Sequence, residues 1–203
     1  IILKTLARLT PSVPVIAEEA YTAGHRPDVS AGTFWLVDAL DGTKEFVKRT
    51  GEFTVNIALI ENGEPVMGVV YAPVLDAMYV GDRDNGATLN GEAINVEQNT
   101  PETLRIVGSR SHASQETTDW LQQLGKPYEM VPMGSSLKIC LVAEGKADIY
   151  PRLGPTSEWD TAAAHAVLVA AGGKVQTPEG QTLVYGKENI LNPNFIAAGN
   201  WYF

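Results

Sequence analysis

The sequence has little of the chemistry that secreted, membrane-spanning or thiolate-based proteins need. Its 203 residues include a single cysteine, Cys140, which excludes an internal disulfide framework and argues against a zinc site built from thiolates. No apolar run is long enough to span a membrane. The opening residues, IILKTLARLT, lack the apolar core and cleavage site of a signal peptide. These absences predict a soluble cytoplasmic protein and leave peripheral association with the inner membrane open.

Basic side chains are in the minority. Lysine and arginine number 15 against 24 aspartates and glutamates, which gives a net charge of -9. This balance disfavours binding to a nucleic acid polymer by bulk attraction. If the substrate is an anion, the negative electrostatic field of the protein must be reversed at the binding site, and a cluster of bound divalent cations would do so.

Several common enzyme signatures are also missing. Residues 134–138 (GSSLK) lack the spacing of a nucleotide P-loop. No Gly-x-Ser-x-Gly elbow occurs, which disfavours a serine hydrolase. Residues 82–86 (DRDNG) place their glycine one position too early for a calcium-binding loop, so they are interpreted as a turn.

The order of patterns predicts a mixed α/β fold, with hairpin strands first and alternating strands and helices later. The chain starts at Ile1 inside a segment with helical spacing, so we expect that its natural N-terminal part is missing. Asn62-Gly63 predicts a hairpin turn. The polar segment 97–103 predicts a boundary between a lobe of residues 1–103 and a lobe of residues 104–203. Further helices are expected over residues 114–124, 134–145 and 160–171.

The first candidate site follows an apolar strand at residues 34–37. This strand leads into Asp38 and Asp41, and Gly42 and Thr43 complete the turn. Two like charges side by side are costly unless a cation neutralises them. Carboxylate oxygens suit magnesium or calcium, and the Thr43 hydroxyl would be placed to orient a water molecule. A plain turn capped by Asp41 is the alternative, since turn aspartates are common.

Two more acidic segments stand at the ends of predicted elements. Glu18 and Glu19 end a short apolar strand, and Asp160 opens a helix. Asp160 is suited either to cap that helix or to bind a metal while the helix N-terminus faces a phosphate. The alanines at 162–164 are expected to let a ligand and the backbone approach closely. A solvated acidic pair is the alternative for Glu18 and Glu19.

Taken together, three segments resemble the defining pattern of the inositol monophosphatase superfamily. They are residues 17–20 (AEEA), 35–43 (WLVDALDGT) and 159–163 (WDTAA). The resemblance extends over nearly the whole chain. It implies a layered α-β-α-β-α sandwich of the inositol monophosphatase and sugar phosphatase type, with a metal site between two lobes.

The resemblance also implies roles, with two to three Mg²⁺ ions that activate water for in-line attack on phosphorus. The implied metal ligands are Glu18, Asp38, the Leu40 carbonyl, Asp41 and Asp160. The implied catalytic residues are Glu18, Asp38, Asp41, Thr43 and Asp160. The implied substrate-binding residues in this half are Glu18, Leu40, Asp41, Gly42, Thr43 and Asp160, and the backbone at 41–43 is implied to form the turn that holds the phosphate. The chain departs from the pattern at Ala39, where proline is usual, and at Ala164, where glycine is usual. The family's aspartate that pairs with the threonine lies in the N-terminal region, which the chain does not include.

The second half resembles one branch of the superfamily, the 3'(2'),5'-bisphosphate nucleotidases of bacterial sulfate assimilation. The matching segments are 44–46 (KEF), 109–112 (SRSH), 134–138 (GSSLK) and 150–156 (YPRLGPT). The resemblance implies that the nucleotide's other phosphate or its sugar is contacted by Ser135, Lys138 and Arg152. It also implies that His112 lies near the base or ribose.

Simpler roles remain open for these residues. Lys138 would also suit a solvated helix face, and Arg152 could pair with Glu158 on the surface. His112 could be a turn residue. A second phosphate nevertheless needs cationic partners beyond the metals, and Lys138 and Arg152 supply them.

The resulting expectation is a Mg²⁺-dependent, lithium-sensitive phosphatase. It would remove the 3'-phosphate of adenosine 3',5'-bisphosphate, with the sulfated form of that nucleotide, 3'-phosphoadenylyl sulfate, as a second substrate. One alternative is an inositol monophosphatase or broad sugar phosphatase. Another is a non-catalytic binder of metal and nucleotide, suggested by the absent N-terminal region and by Ala164. The sequence leaves monomer and homodimer both open.

Overall fold

The computed structural model describes residues 1–108 and 114–202, and within them the chain forms two sheets and six α-helices. The helices are α1 (Ile2–Leu9), α2 (Glu18–Thr22), α3 (Thr43–Val47), α4 (Gln115–Gln123), α5 (Leu137–Ala143) and α6 (Glu158–Ala170), with a 3-10 turn at Asn200–Tyr202. The strands are β1 (Val15–Ala17), β2 (Thr33–Asp41), β3 (Thr54–Glu61), β4 (Glu64–Ala72), β5 (Ala77–Asp82), β6 (Gly86–Leu89), β7 (Glu92–Ile94), β8 (Leu104–Gly108), β9 (Tyr128–Pro132), β10 (Ile149–Arg152), β11 (Gly173–Gln176) and β12 (Phe195–Gly199). Across the described ranges, no helix combines the length and apolar character that crossing a membrane requires.

The first sheet has seven strands in chain order, β1 to β7. β1 is parallel to β2, and the remaining neighbours are antiparallel. The predicted hairpin between β3 and β4 is confirmed, since Asn62 and Gly63 both adopt positive φ angles, of 52° and 84°. Burial alternates along β3, which fits a sheet with two different faces.

The second sheet has five strands in the order β11-β12-β10-β8-β9. Here β8 is parallel to β9 and β10, whereas β12 is antiparallel to β10 and β11. This mixture of parallel and antiparallel pairs agrees with the predicted mixed α/β class.

Helices cover the two sheets on both sides. On the outer face of the first sheet, Leu6 of α1 packs with Trp35 and Val37. α5 and α6 lie between the sheets, where they contact each other and strands of both. On the far face of the second sheet, Leu121 of α4 packs with Leu104. The predicted α-β-α-β-α layering is therefore confirmed.

α6 lies directly against the backbone of the first sheet. A Cβ at Gly68 would overlap the carbonyl group of Ala163, and one at Gly81 would overlap the backbone of Val167. The three consecutive alanines of α6 are fully or almost fully buried, at 0%, 2% and 0% exposure for Ala162, Ala163 and Ala164. Their small size serves helix-to-sheet packing, so the expectation that they admit a ligand was wrong. The Ala164 methyl belongs to the main core.

The two halves of the chain share this main core. β7 ends at Ile94 and β8 begins at Leu104, on either side of the predicted boundary at residues 97–103. However, α6 comes from the second half and packs across β2 to β6 of the first sheet. The division into two lobes stays a prediction.

Candidate metal centre and adjoining basic cavities

A bulge in β2 brings Asp38 and Asp41 to the same face of the first sheet. Asp38 pairs with Asn56 and Asp41 pairs with Thr54, so three steps along β2 match two along β3. Without the extra residue, strict alternation would point the two carboxylates to opposite faces. The Leu40 N–H donates to Asp38 Oδ1 at 2.8 Å. Both aspartates consequently face α6.

The third carboxylate comes from the first turn of α6. Ligand oxygens of Asp38, Asp41 and Asp160 lie within 4.8 Å of one another. Asp38 is 1% exposed, and the other two are half-buried. The structure therefore brings together three residues that are 122 positions apart at their extremes, as the predicted metal site requires.

Asp160 also serves the helix itself. Ser157 is the N-cap of α6, and its backbone N–H donates to Asp160 Oδ2 at 2.7 Å. This is a capping box in which an aspartate takes the reciprocal role. The two interpretations of Asp160 from the sequence are compatible, because the cap engages Oδ2 and the carboxylate still reaches Asp38 and Asp41.

The cluster is electrostatically unfavourable in the absence of a cation. Burial, followed by repulsion from Asp41, raises the pKa of Asp38 to about 8. Burial also raises the pKa of Asp160 to about 6. The pKa of Asp41 is raised by burial as well, although Lys138 and the Ser136 N–H oppose that shift. Oxygen donors whose charges repel in this way fit a hard divalent cation, which would favour their ionised forms.

Glu18 lies beside this cluster, at the first position of α2. It hydrogen-bonds with Asp38, and burial raises its pKa despite that bond. The expected strand before it is present as β1, and residues 18–22 form the helix α2. Glu19, in contrast, is exposed.

The turn after Asp41 has a positive φ angle at its glycine, Gly42. Gly42 has a φ of 88°, and a Cβ there would lie 3.2 Å from the Glu52 carbonyl oxygen and from Ser135 Cβ. A side chain would thus be strained both by conformation and by contact. The exposed Thr43 directs its hydroxyl to the Leu40 carbonyl at 3.5 Å.

Sequence reasoning missed the polar residues that hold Asp41. Asp41 Oδ2 accepts from the Ser136 N–H at 2.6 Å, and from Thr54 Oγ1 and Asn56 Nδ2 at 3.4 Å each. Thr54 and Asn56 occupy inward positions of β3, where Ala58 and Ile60 follow them. Two polar residues at positions that should be apolar were the available signal.

Two basic side chains, those of Lys138 and Arg152, form a basic wall next to the carboxylates. Lys138 is half-buried, and its ammonium group lies 5.6 Å from the centre of the Tyr150 ring. Burial lowers the pKa of Lys138, while attraction to Asp41 opposes the shift. Arg152 donates from Nη2 to the Pro155 carbonyl at 2.9 Å. Its buried Nε has no hydrogen-bond partner among the described residues.

Lys138, Tyr150 and Arg152 separate two adjoining cavities. The first, of about 230 Å³, is lined by Asp41, Asp160 and Ser135 as well as by this wall. The second, of about 260 Å³, lies on the other side and is lined mainly by apolar groups. The interpretation of Lys138 as a solvated helix lysine was therefore wrong.

The suggested pairing of Arg152 with Glu158 was also wrong. Glu158 is fully buried and binds Lys187, with Nζ to Oε1 at 2.5 Å. It also accepts from the backbone N–H groups of Gly186 and Lys187. This leaves Arg152 facing the two cavities. His112 falls outside the described residues.

The fold and the site together define a metal-dependent phosphatase, in which clustered carboxylates lie beside a basic pocket for an anionic substrate. The chain belongs to the inositol monophosphatase family, and the sequence model of that family matches residues 1–202. The resemblance seen in the sequence is confirmed.

Individual relatives point to one branch of the family. The chain is 51% identical over 197 residues to the 3'(2'),5'-bisphosphate nucleotidase CysQ of Salmonella typhimurium, covering 96% of this chain and 79% of that protein. It is 48% identical over 204 residues to the enzyme of the same name from Escherichia coli K12, with the same coverage of 96% and 79%.

Solved structures agree with both the fold and the branch. CysQ from Bacteroides thetaiotaomicron superimposes with a TM-score of 0.82 and 41% identity, covering 96% of this chain and 80% of that one. Inositol monophosphatase from Anabaena superimposes with a TM-score of 0.79 and 29% identity, covering 97% and 77%.

Proposed function

We propose that this chain is a Mg²⁺-dependent 3'(2'),5'-bisphosphate nucleotidase. It removes the 3'-phosphate of adenosine 3',5'-bisphosphate to give AMP and phosphate, and it also accepts the sulfated form of that nucleotide. The observation that carries the proposal is the basic wall of Lys138 and Arg152 between two cavities, one of which contains the aspartate cluster. The names of the CysQ relatives support the same substrate class.

The two cavities match the parts of such a substrate. The 3'-phosphate would lie in the acidic cavity, against Asp41 and Asp160. The 5'-phosphate would reach Lys138 and Arg152, whose charges are not neutralised by an ion pair among the described residues. The nucleoside would occupy the second, more apolar cavity. An inositol monophosphate offers neither a second phosphate nor a base to these groups.

The residues of the site divide the chemical work. Oxygen donors from Glu18, Asp38, Asp41, Asp160 and the Leu40 carbonyl would hold two to three Mg²⁺ ions, which supply charge neutralisation and water activation when bound. The Thr43 hydroxyl would orient the attacking water. The backbone of the turn at 41–43 would receive the reacting phosphate. Ser135, which lines the same cavity, would contact the substrate.

The cellular location of the enzyme is inferred from its cysteine content. We propose a cytoplasmic location on the strength of the single cysteine, Cys140, which is buried and free.

Kinetics with two substrates test the proposal. With saturating Mg²⁺, we expect kcat/KM for adenosine 3',5'-bisphosphate to exceed that for inositol 1-phosphate by at least about 100-fold. The reason is that charge-assisted hydrogen bonds to a second phosphate contribute roughly 1.5–3 kcal/mol each. A preference for inositol 1-phosphate would overturn the substrate assignment. Calorimetric binding of the nucleotide without turnover would instead indicate a non-catalytic binder.

A further inference from the structure

The carboxylate of Asp41 is held from one side by a buried polar network. Its Oδ2 accepts from the Ser136 backbone N–H at 2.6 Å and from the side chains of Thr54 and Asn56 at 3.4 Å each. Those three residues are 5%, 0% and 1% exposed. Water therefore has no access to compete for this oxygen from that side.

The same three residues are also bonded to one another. The Ser136 hydroxyl donates to Asn56 Oδ1 at 2.8 Å and lies 2.8 Å from Thr54 Oγ1. Because a carboxylate only accepts, Asn56 must turn its amino group to Asp41 and its carbonyl to Ser136. The Thr54 proton is then directed to Ser136 or to Asp41. The network is closed, and it fixes the orientations of the Asn56 amide and the Ser136 hydroxyl.

The network also joins separate parts of the fold. Thr54 and Asn56 belong to β3 of the first sheet, whereas Ser136 is the N-cap of α5, which contacts the second sheet. Ser135 precedes it with a φ of 49°, which is unusual for a residue other than glycine. This strained turn brings the Ser136 N–H to Asp41, so the contact is built into the backbone path.

We infer that Thr54, Asn56 and Ser136 are positioning residues that fix Asp41 with Oδ2 engaged and Oδ1 available to a cation. The inference rests on the proposed cation-dependent function of the site. Residues that orient a metal ligand through hydrogen bonds typically change metal affinity by 10- to 100-fold when they are removed. The network thus determines how tightly the aspartate cluster binds its cation.

Direct cation binding by the whole chain tests this inference. Mn²⁺ is titrated by calorimetry into the wild type, Ser136→Ala, Thr54→Val and Thr54→Ser. We expect a loss of Mn²⁺ affinity of about 10-fold or more in Ser136→Ala and Thr54→Val. Thr54→Ser keeps the hydroxyl and should restore affinity to near the wild-type value. Thr177→Val is the matched control, since Thr177 is a buried threonine whose hydroxyl accepts from the Gln181 N–H outside the site.

The outcomes separate the inference from the proposed function. Wild-type protein that binds no Mn²⁺ would overturn both. Wild-type binding with unchanged affinity in folded Ser136→Ala and Thr54→Val would overturn the inference alone, and so would equal losses in Thr54→Val, Thr54→Ser and Thr177→Val. If Ser136→Ala fails to fold, the Thr54 pair decides, because valine and threonine have nearly the same shape. The midpoint of Mg²⁺ activation should shift in parallel with the Mn²⁺ affinity.

Discussion

Asp38→Asn should reduce kcat/KM for adenosine 3',5'-bisphosphate by at least about 1000-fold. Asp38 is 1% exposed and faces Asp41 and Asp160 in the cluster. An amide in its place removes one of the charges that are proposed to hold the cations. Losing about 4 kcal/mol of transition-state stabilisation corresponds to this factor. Steady-state kinetics over a range of Mg²⁺ concentrations measure the loss.

The same substitution should stabilise the metal-free protein. Burial and neighbouring charges raise the pKa of Asp38 to about 8, whereas its ordinary value is 3.8. The folded protein therefore holds a proton that the unfolded chain releases, and the wild type loses stability as the pH rises from about 4 to 8. The amide of Asp38→Asn does not ionise, so the variant does not lose this stability as the pH rises. A gain of about 2 kcal/mol in the free energy of unfolding would raise the Tm at pH 8 by roughly 4–8 °C.

Asp84→Asn is the matched control, since Asp84 is exposed in the hairpin turn between β5 and β6. It should leave both activity and Tm close to wild type. The account of the cluster fails if Asp38→Asn keeps full activity. It also fails if the metal-free variant is less stable than the wild type at pH 8, because crowded carboxylates would then not dominate the site.

Arg152→Gln should lower the preference for a bisphosphate by about 100-fold. Adenosine 3',5'-bisphosphate and adenosine 3'-monophosphate differ only in the phosphate that Arg152 is proposed to contact. Loss of one charge-assisted hydrogen-bonding group costs roughly 1.5–3 kcal/mol. We expect kcat/KM to fall for the bisphosphate and to change little for the monophosphate. Lys138→Met should act in the same direction.

An exposed arginine gives the control for this experiment. Arg83 pairs with Glu61 at 3.2 Å on the surface, with 52% of its side chain exposed. Arg83→Gln should leave the substrate preference unchanged. Equal losses on both substrates in Arg152→Gln would show that Arg152 supports the fold or the reacting phosphate, and the proposed place of the second phosphate would be wrong.

The features that could be predicted from the sequence are those that depend on residues close together along the chain. The Asn62-Gly63 turn and the helical spacing of the first residues were sufficient to predict a hairpin and a helix, because each depends on neighbouring residues. The helix expected over residues 134–145 is present as α5, and Gly145, with a φ of 69°, lies just beyond its end, where glycine is common. The acidic segments predicted a cluster, and three of its members converge.

Features that depend on the register between strands could not be predicted. Nothing in residues 39–40 marks the bulge that turns Asp41 to the same face as Asp38, since the segment contains neither glycine nor proline. Ser136 meets Thr54 and Asn56 only once both sheets are assembled. Likewise, the partner of Glu158 is Lys187, 29 residues later along the chain, and no local pattern joins them.

The most direct test of the central claim is a crystal structure with Mn²⁺ and adenosine 3',5'-bisphosphate, in which anomalous scattering locates the metal. We predict at least one anomalous peak about 2.0–2.3 Å from carboxylate oxygens of Asp38, Asp41 and Asp160. The 3'-phosphate should lie at that peak, and the 5'-phosphate should lie within hydrogen-bonding distance of Lys138 or Arg152. A nucleotide bound elsewhere, or a metal that contacts none of the three aspartates, would contradict the account.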